Sequence, residues 1–214
     1  MAENTIERCA RIGTSTWSDA LDDLGIDGVV RGVPQRSGQG RFAAFAATAR
    51  GATGPLGTYR LEEFAVGQML AAVNAGEVLM VDMGGAEVST FGGMAALAAA
   101  SRRFAAVVID GGCRDIDDIR KTGLWLASRA VTPTSGKRRV RLHAIGEPAT
   151  VGGVTIRQGD MIIGDATGIV AVPRGALNDV LTRAEALHAL DCKMETAIRE
   201  GKTLAEAVKL TGYV

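Results

Sequence analysis

Phe104-Ala-Ala-Val-Val-Ile109 runs directly into Asp110-Gly-Gly-Cys113-Arg114-Asp115-Ile-Asp-Asp118, and this junction decides the fold. The apolar half reads as a buried strand. The polar half sets an arginine beside an aspartate at the strand's end, which is costly unless the charges are solvated, paired or bound to something. Ends of core strands are where α/β proteins place their chemistry. Upstream, Thr90-Phe91-Gly92-Gly93-Met94 enters an alanine-rich helix, Gly93 to Arg103. The free N–H groups of such an entry form a cradle for a carboxylate or phosphate. Downstream, Asp115 to Thr122 makes a short helix stopped by Gly123, and Trp125 to Pro133 returns as a strand. Val78 to Asp82 is another short buried strand, closed by Met83-Gly84-Gly85. The alternation predicts parallel pairing through the middle of the chain and an α/β fold.

Farther out, Thr14-Ser15-Thr16 cap a helix from Trp17 to Leu24 that ends at Gly25. Phe42 to Arg50 reads as a strand before a turn at Gly51 to Pro55, and Leu61 to Ala75 as an amphipathic helix closing at Gly76. After Ser135 the texture changes to short strands: Leu142 to Ile145, Thr150 to Ile156, Met161 to Asp165 and Ile169 to Val172. A long helix from Leu177 to Arg199 and a short one near Leu204 follow. Residues 1–214 read as one domain, with 173–214 a helical tail.

Lys plus Arg equals Asp plus Glu at 24 each, so charge gives no argument for nucleic acid or anionic membrane. The one locally basic run, Lys137-Arg138-Arg139-x-Arg141, reads as a solvated face. No segment has the apolar length of a membrane span. Met1 to Cys9 carries charges where a signal peptide needs apolar residues, which sets a cytoplasmic location as the expectation. Cys9, Cys113 and Cys192 form no CxxC pair, and His143 and His188 stand far apart. A metal site must then use carboxylates, backbone oxygen and water, ligands that suit Mg²⁺ or Mn²⁺.

Asp115 and Asp118 sit three apart at a helix start. They read either as an N-cap and a first-turn acid or as groups around a metal. Arg114 is a salt-bridge partner on the first reading. Cys113, with no adjacent histidine, reads as a small buried apolar residue. Trp17 and Trp125 read as packing residues and His188 as a surface or interface residue. Asp82 and Asp110 either line a pocket or cap turns.

Gly93, twenty intervening residues and then Arg114-Asp115-Ile-Asp-Asp118 resemble the signature of the 4-hydroxy-4-methyl-2-oxoglutarate / 4-carboxy-4-hydroxy-2-oxoadipate aldolase family. That family also includes the structurally similar regulator of ribonuclease activity A. Ser18 to Gly25, Gly76 to Asp82, Gly159 to Asp165 and Gly168 to Pro173 extend the resemblance over most of the chain. It departs at Gly93, where aldolase members often carry an acid.

The resemblance implies an α-β-β-α sandwich similar to the swivelling phosphohistidine domain, with a C-terminal helical tail. It implies a divalent-metal-dependent lyase that releases pyruvate from a 4-hydroxy-2-oxo acid and also decarboxylates oxaloacetate. Backbone N–H groups of Gly92, Gly93, Met94 and Ala95 would hold the 2-oxo acid carboxylate. Arg114 would stabilise the enolate oxygen, Asp115 would bind Mg²⁺ or Mn²⁺, and Asp118 would hold water on the metal. The family's other members imply the alternatives, a non-catalytic regulator that binds a ribonuclease or a repurposed lyase. A metal-assisted route needs no Schiff-base lysine, consistent with a chain that has none before Lys121. The resemblance further implies a homotrimer or homohexamer with sites between subunits, each completed by a neighbour's acid from among Glu195, Glu200 and Glu206. Two apolar stripes are candidate interfaces: Met94 to Ala100, and Leu177, Val180, Leu181, Ala184, Leu187 and Leu190.

Overall fold

The computed structural model describes residues 4–212; Met1 to Glu3 and the last two residues of the domain assigned from sequence lie outside that range. Two helices open the chain, α1 (Thr5–Arg11) and α2 (Thr14–Asp23). Strands β1 (Val29–Val30), β2 (Gln35–Ser37) and the long β3 (Phe42–Thr53) follow. Next come α3 (Val66–Ala71), β4 (Val78–Asp82), β5 (Ser89–Phe91), α4 (Gly93–Ser101), β6 (Ala106–Cys113), α5 (Ile116–Lys121) and β7 (Leu126–Val131). The last third holds β8 (Val140–Ile145), β9 (Ala149–Val151), β10 (Val154–Ile156), β11 (Met161–Gly164), β12 (Ile169–Val172), α6 (Leu177–Arg199) and α7 (Leu204–Thr211).

The main sheet runs β1-β12-β11-β3-β4-β6-β7-β2, with β5 beside β6 and β8 beside β3. Pairing is parallel from β3 through β4 and β6 to β7, as the strand–helix alternation predicts. Residues 31–34 connect β1 at one end of this order to β2 at the other, which brings the two ends of the sheet near each other. Alternation along each strand then sorts side chains into an inside and an outside. Phe42, Ala44 and Ala46 of β3 point inward with Val78, Met80, Val108 and Ile162. Ala43 and Phe45 point out under α1, α2 and α6, while Ala47 and Ala49 point out under the face covered by α3, α4 and α5. Helices therefore flank two β layers.

The tail is part of this body. Leu177, Val180, Leu181, Ala184 and Leu187 are buried against Trp17, Leu21, Val170 and Val172 of the same chain. The α6 stripe offered as a candidate interface is thus internal, because α2 and β12 present the apolar surface that covers it. Arg8–Glu185 at 2.7 Å and Arg183–Asp23 at 2.6 Å tie its flanks. Trp17 is fully buried and its Nε1 donates to the Cys9 carbonyl, and Trp125 packs its ring against Phe42; both are packing residues, as expected.

Three local expectations change. Leu61 to Ala75 is not one helix but a 3₁₀ turn at Leu61–Glu63 followed by α3. Phe64 breaks it by packing against the loop at Gly136, and the Arg102 guanidinium ends it early by bonding the carbonyls of Leu70, Ala71 and Val73. Thr150 to Ile156 is a hairpin rather than a strand. Gly152 and Gly153 both take positive φ in its two-residue turn, a conformation that fits the twist of antiparallel strands. Finally, β3 runs through the turn expected at Gly51, where a register shift against β8 absorbs the bend.

Helix α2 begins at Thr14, earlier than expected, because its cap comes from 151 residues away. Asp165 accepts the Thr14 N–H at 3.0 Å and the Thr14 hydroxyl at 2.7 Å. Burial opposes the charged form of Asp165, but bonds from Thr14, Thr167 and Gly168 outweigh it and hold the carboxyl below its ordinary range. A depressed carboxyl stabilises the fold above its unfolded pKa, and this contribution is lost as pH falls through the folded value. Asp165→Asn is expected to cost about 1–3 kcal/mol near neutral pH. Urea melts of the two proteins should converge as the buffer is taken into the acid range; a constant difference across pH would contradict this account.

Candidate functional site

Parallel strands β4, β6 and β7 deliver their C-terminal ends to one side of the molecule. Asp82 and Asp110, register neighbours on β4 and β6, both lie there. Asp82 accepts the N–H groups of Gly84 and Thr150, each at 2.9 Å. Asp110, nearly buried, accepts the Gly152 N–H at 2.8 Å and pairs with Arg129 Nε at 2.5 Å. The two carboxylates therefore pin the β9–β10 hairpin across the end of the inner core. They are structural caps, which settles the choice left open by sequence.

The other end of the same junction is built differently. Arg114 leaves β6 with its N–H on the Phe91 carbonyl at 2.9 Å, and Asp115 then turns into the left-handed region at φ 56°. That conformation costs most L residues about 1–2 kcal/mol, and Asp tolerates it better than most. Asp115 occupies the N-cap position of α5, yet its side chain makes no capping bond there. Its Oδ2 instead accepts the Gly93 N–H of α4 at 3.1 Å and lies 3.6 Å from Arg114 Nε. Asp118 is drawn the other way, with Oδ1 on Lys121 Nζ at 2.7 Å. The Asp118 carboxylate in turn holds the Lys121 ammonium above the ordinary lysine range. Asp115 thus holds the N-cap position without the capping bond that one sequence reading offered, while Asp118 is the first-turn acid of that reading.

This turn brings together Gly92, Gly93, Arg114, Asp115 and Asp118, residues more than twenty apart in the chain. The glycines make the approach possible. A Cβ at Gly92 would stand 2.6 Å from Asp115 Oδ2 and 3.2 Å from Arg114 Nε. At Gly93 it would stand 3.0 Å from Asp118 Cβ, so an acid at this position would crowd the α4–α5 contact. Gly92 has ordinary extended φ and ψ, so Gly92→Ala acts only by pushing on the Arg–Asp pair. Turnover of that variant is expected to fall about 10²-fold, the effect of a misplacement near 1 Å. Unchanged turnover would show that the pair need not be held so closely.

Both contacts of Asp115 described above use Oδ2. Met94 and Ala95 lie in the first turn of α4, where N–H groups have no partner within the helix. Among the described residues no three of His, Cys, Asp and Glu converge as a metal cage. A single carboxylate with water and substrate oxygens is nevertheless a donor set that suits Mg²⁺ or Mn²⁺, which keep several waters. Cys113 lies beneath the turn, fully buried with Sγ 3.2 Å from Ser128 Oγ, and burial pushes its thiol up, so packing is its role. His188 is partly exposed on α6 near Cys192.

The turn lies on open surface. Clefts of about 550 and 600 Å³ on the chain are lined by other residues. Exposed apolar side chains border it instead: Met94 at 76%, Leu97 at 52% and Val131, the register partner of Cys113, at 46%.

Residues 14–171 match the model of the RraA-like family, described as Aldolase/RraA. The chain belongs to this family. A putative 4-hydroxy-4-methyl-2-oxoglutarate aldolase of Halalkalibacterium halodurans is 29% identical over 190 residues, covering 88% of this chain and 86% of that protein. The solved structure of an uncharacterized protein from Pseudomonas syringae pv. tomato superposes with TM-score 0.84 at 29% identity, over 97% of this chain and 98% of that one. A Streptomyces coelicolor protein, described as an unusual member of the RNase ES inhibitor RraA protein family, shares the fold at TM-score 0.80 and 22% identity, over 91% of this chain and 97% of that one. Other curated relatives are longer, and the chain spans 21% and 62% of two of them. As an RraA-like chain it carries the Arg–Asp turn on a mixed α/β frame. No helix among the described residues is long and apolar enough to cross a membrane.

Proposed function

We propose that this RraA-like protein is a divalent-cation-dependent lyase that releases pyruvate from a 4-hydroxy-2-oxo acid, with oxaloacetate decarboxylation as a side activity. The observation that carries the reading is the left-handed Asp115, fixed by the Gly93 amide with Arg114 alongside. A strained turn holding two opposite charges at a strand end is a recurrent mark of functional sites. A docking surface has no need of that constellation.

When bound, Mg²⁺ or Mn²⁺ would supply Lewis-acid polarisation of the 2-oxo group. Asp115 would hold the cation, and its bond to Gly93 fixes the direction of that carboxylate. The substrate's own carboxylate meets the amides of Met94 and Ala95, since Gly93 is engaged by Asp115. The 4-hydroxyl gives its proton to water as the C3–C4 bond breaks, so C4 leaves as a carbonyl and the bonding pair passes to the pyruvate enolate. The Arg114 guanidinium is placed to stabilise the enolate oxygen, and C3 then takes a proton from water. Asp118, steadied by Lys121, would orient that water.

A site on open surface leaves water in contact with the reacting atoms, and the apolar rim of Met94, Leu97 and Val131 supports closure by a second copy. The family resemblance makes that assembly a homotrimer or a hexamer of two trimers. Of the acids considered for the neighbour's contribution, Glu195 is paired with Arg199 and Glu206 with Thr203. Among the described residues Glu200 has no such partner, and it is our choice. Light scattering at micromolar concentration should give a multiple of 22.2 kDa; a fully active monomer would rule out a shared site.

The test of the reaction is pyruvate release from a panel of 4-hydroxy-2-oxo acids and oxaloacetate, with and without Mg²⁺. Turnover of at least one substrate that stops on chelation and returns with Mg²⁺ is expected. Full turnover after exhaustive chelation would remove the cation from the proposal.

A further inference from the structure

Beside the sheet edge formed by β2, the chain holds a second polar cleft, about 550 Å³ in volume and lined by Arg36, Ser37, Gly38, Gln39, Arg120 and Gly123. Two cations and no acid line it. Arg36 is half-buried and oriented by two carbonyls, Nε on Ser128 O at 3.1 Å and Nη2 on Arg129 O at 2.9 Å. Two of its five N–H donors are used there, and among the described residues no carboxylate pairs with it. Arg120 is tied alongside, its Nε donating to the Arg36 carbonyl at 3.2 Å. Arg120 also forms an exposed ion pair with Asp117 at 3.7 Å, beyond hydrogen-bond reach. Gly38, at φ 81°, packs its Cα onto the Trp125 backbone and fixes the turn that carries Gln39. Ser37 belongs to the same wall, and its Oγ is enclosed without a hydrogen-bond partner among the described residues.

We propose that this cleft is a binding site for a small organic dicarboxylate, one carboxylate on each guanidinium. Planar guanidinium forks match carboxylates bidentately, and the volume is more than a single inorganic oxyanion needs. Two guanidinium side chains that line one cleft with no acid among its lining residues carry a repulsive cost, which a dianion removes. None of the residues around Arg114 and Asp115 lines the cleft, so the site is separate from the one proposed for catalysis.

Isothermal titration of the 214-residue chain with succinate tests this, with acetate and inorganic phosphate as parallel arms. Saturable succinate binding, weaker for acetate and for phosphate, is expected. Arg120→Gln and Arg36→Gln should each weaken succinate binding about tenfold or more, while Arg114→Gln leaves it unchanged. Pyruvate release should be unaffected by Arg120→Gln. Because Arg36 also braces β7, a thermal melt accompanies that variant, and Arg120→Gln decides alone if Arg36→Gln does not fold. Absence of saturable binding, equal affinity in the Arg120 variant, or loss only with Arg114→Gln would overturn the assignment. Phosphate binding tighter than succinate would replace the dicarboxylate with a phosphate ligand and overturn it as stated.

Discussion

Asp115→Asn is expected to fold normally and to lose pyruvate release by about 10²–10³-fold, in line with removal of a group that acts on transition-state charge. Asparagine is the informative replacement. It tolerates the left-handed backbone at φ 56° as aspartate does, and its amide oxygen can still accept the Gly93 N–H. What it removes is the negative charge that a divalent cation needs. Asp115→Ala would mix that loss with backbone strain and a broken bond to α4, so a dead alanine variant alone would not separate ligand from brace. Turnover and Mg²⁺ dependence should be measured beside a urea melt. A folded Asp115→Asn protein with near-normal turnover would show that the carboxylate does not hold a cation.

The second large effect is expected from Arg114→Lys, a fall of about 10²–10³-fold in turnover although the charge is kept. Arg114 Nε lies on the Asp115 side of the group, 3.6 Å from Oδ2, which leaves the outer nitrogens of the fork for the oxygen of the substrate. Lysine offers one strongly hydrated point charge and cannot face both ways. The loss should fall on kcat rather than KM, because the interaction strengthens as charge develops on the substrate oxygen. An unchanged kcat with a raised KM would make Arg114 a ground-state binding residue instead.

The middle of the chain was legible because periodicity, glycine and charge agree there. Val78–Asp82 is the buried parallel strand expected, and the apolar run Phe104 to Ile109 falls on β6, which begins at Ala106 and continues through the glycines to Cys113. Leu177 to Arg199 was predicted to the residue. The hairpin at Gly152-Gly153 was legible too, since paired glycines between alternating apolar residues are a two-residue turn signal; reading it as one strand ignored that signal. By contrast, β1, β2 and β5 are two or three residues long and carry no periodicity of their own. They exist because the edges of β12, β7 and β6 supply hydrogen-bond partners.

The sequence by itself determined the α/β alternation, the glycine pair and the Arg-Asp-x-x-Asp run, because each is written in neighbouring residues whose local energetics suffice. Tertiary structure decided what those residues do. Asp115 looked like a cap for its own helix and instead bonds Gly93, twenty-two residues away, because the left-handed turn aims its carboxylate at α4. The α6 stripe could have faced a partner and is covered by α2, since only the assembled sheet shows which apolar faces remain open. Asp82 and Asp110 became clamps because a hairpin forty or more residues later delivers unpaired N–H groups to them. Contacts of that kind depend on which surfaces meet, and no local pattern in a single chain encodes the meeting.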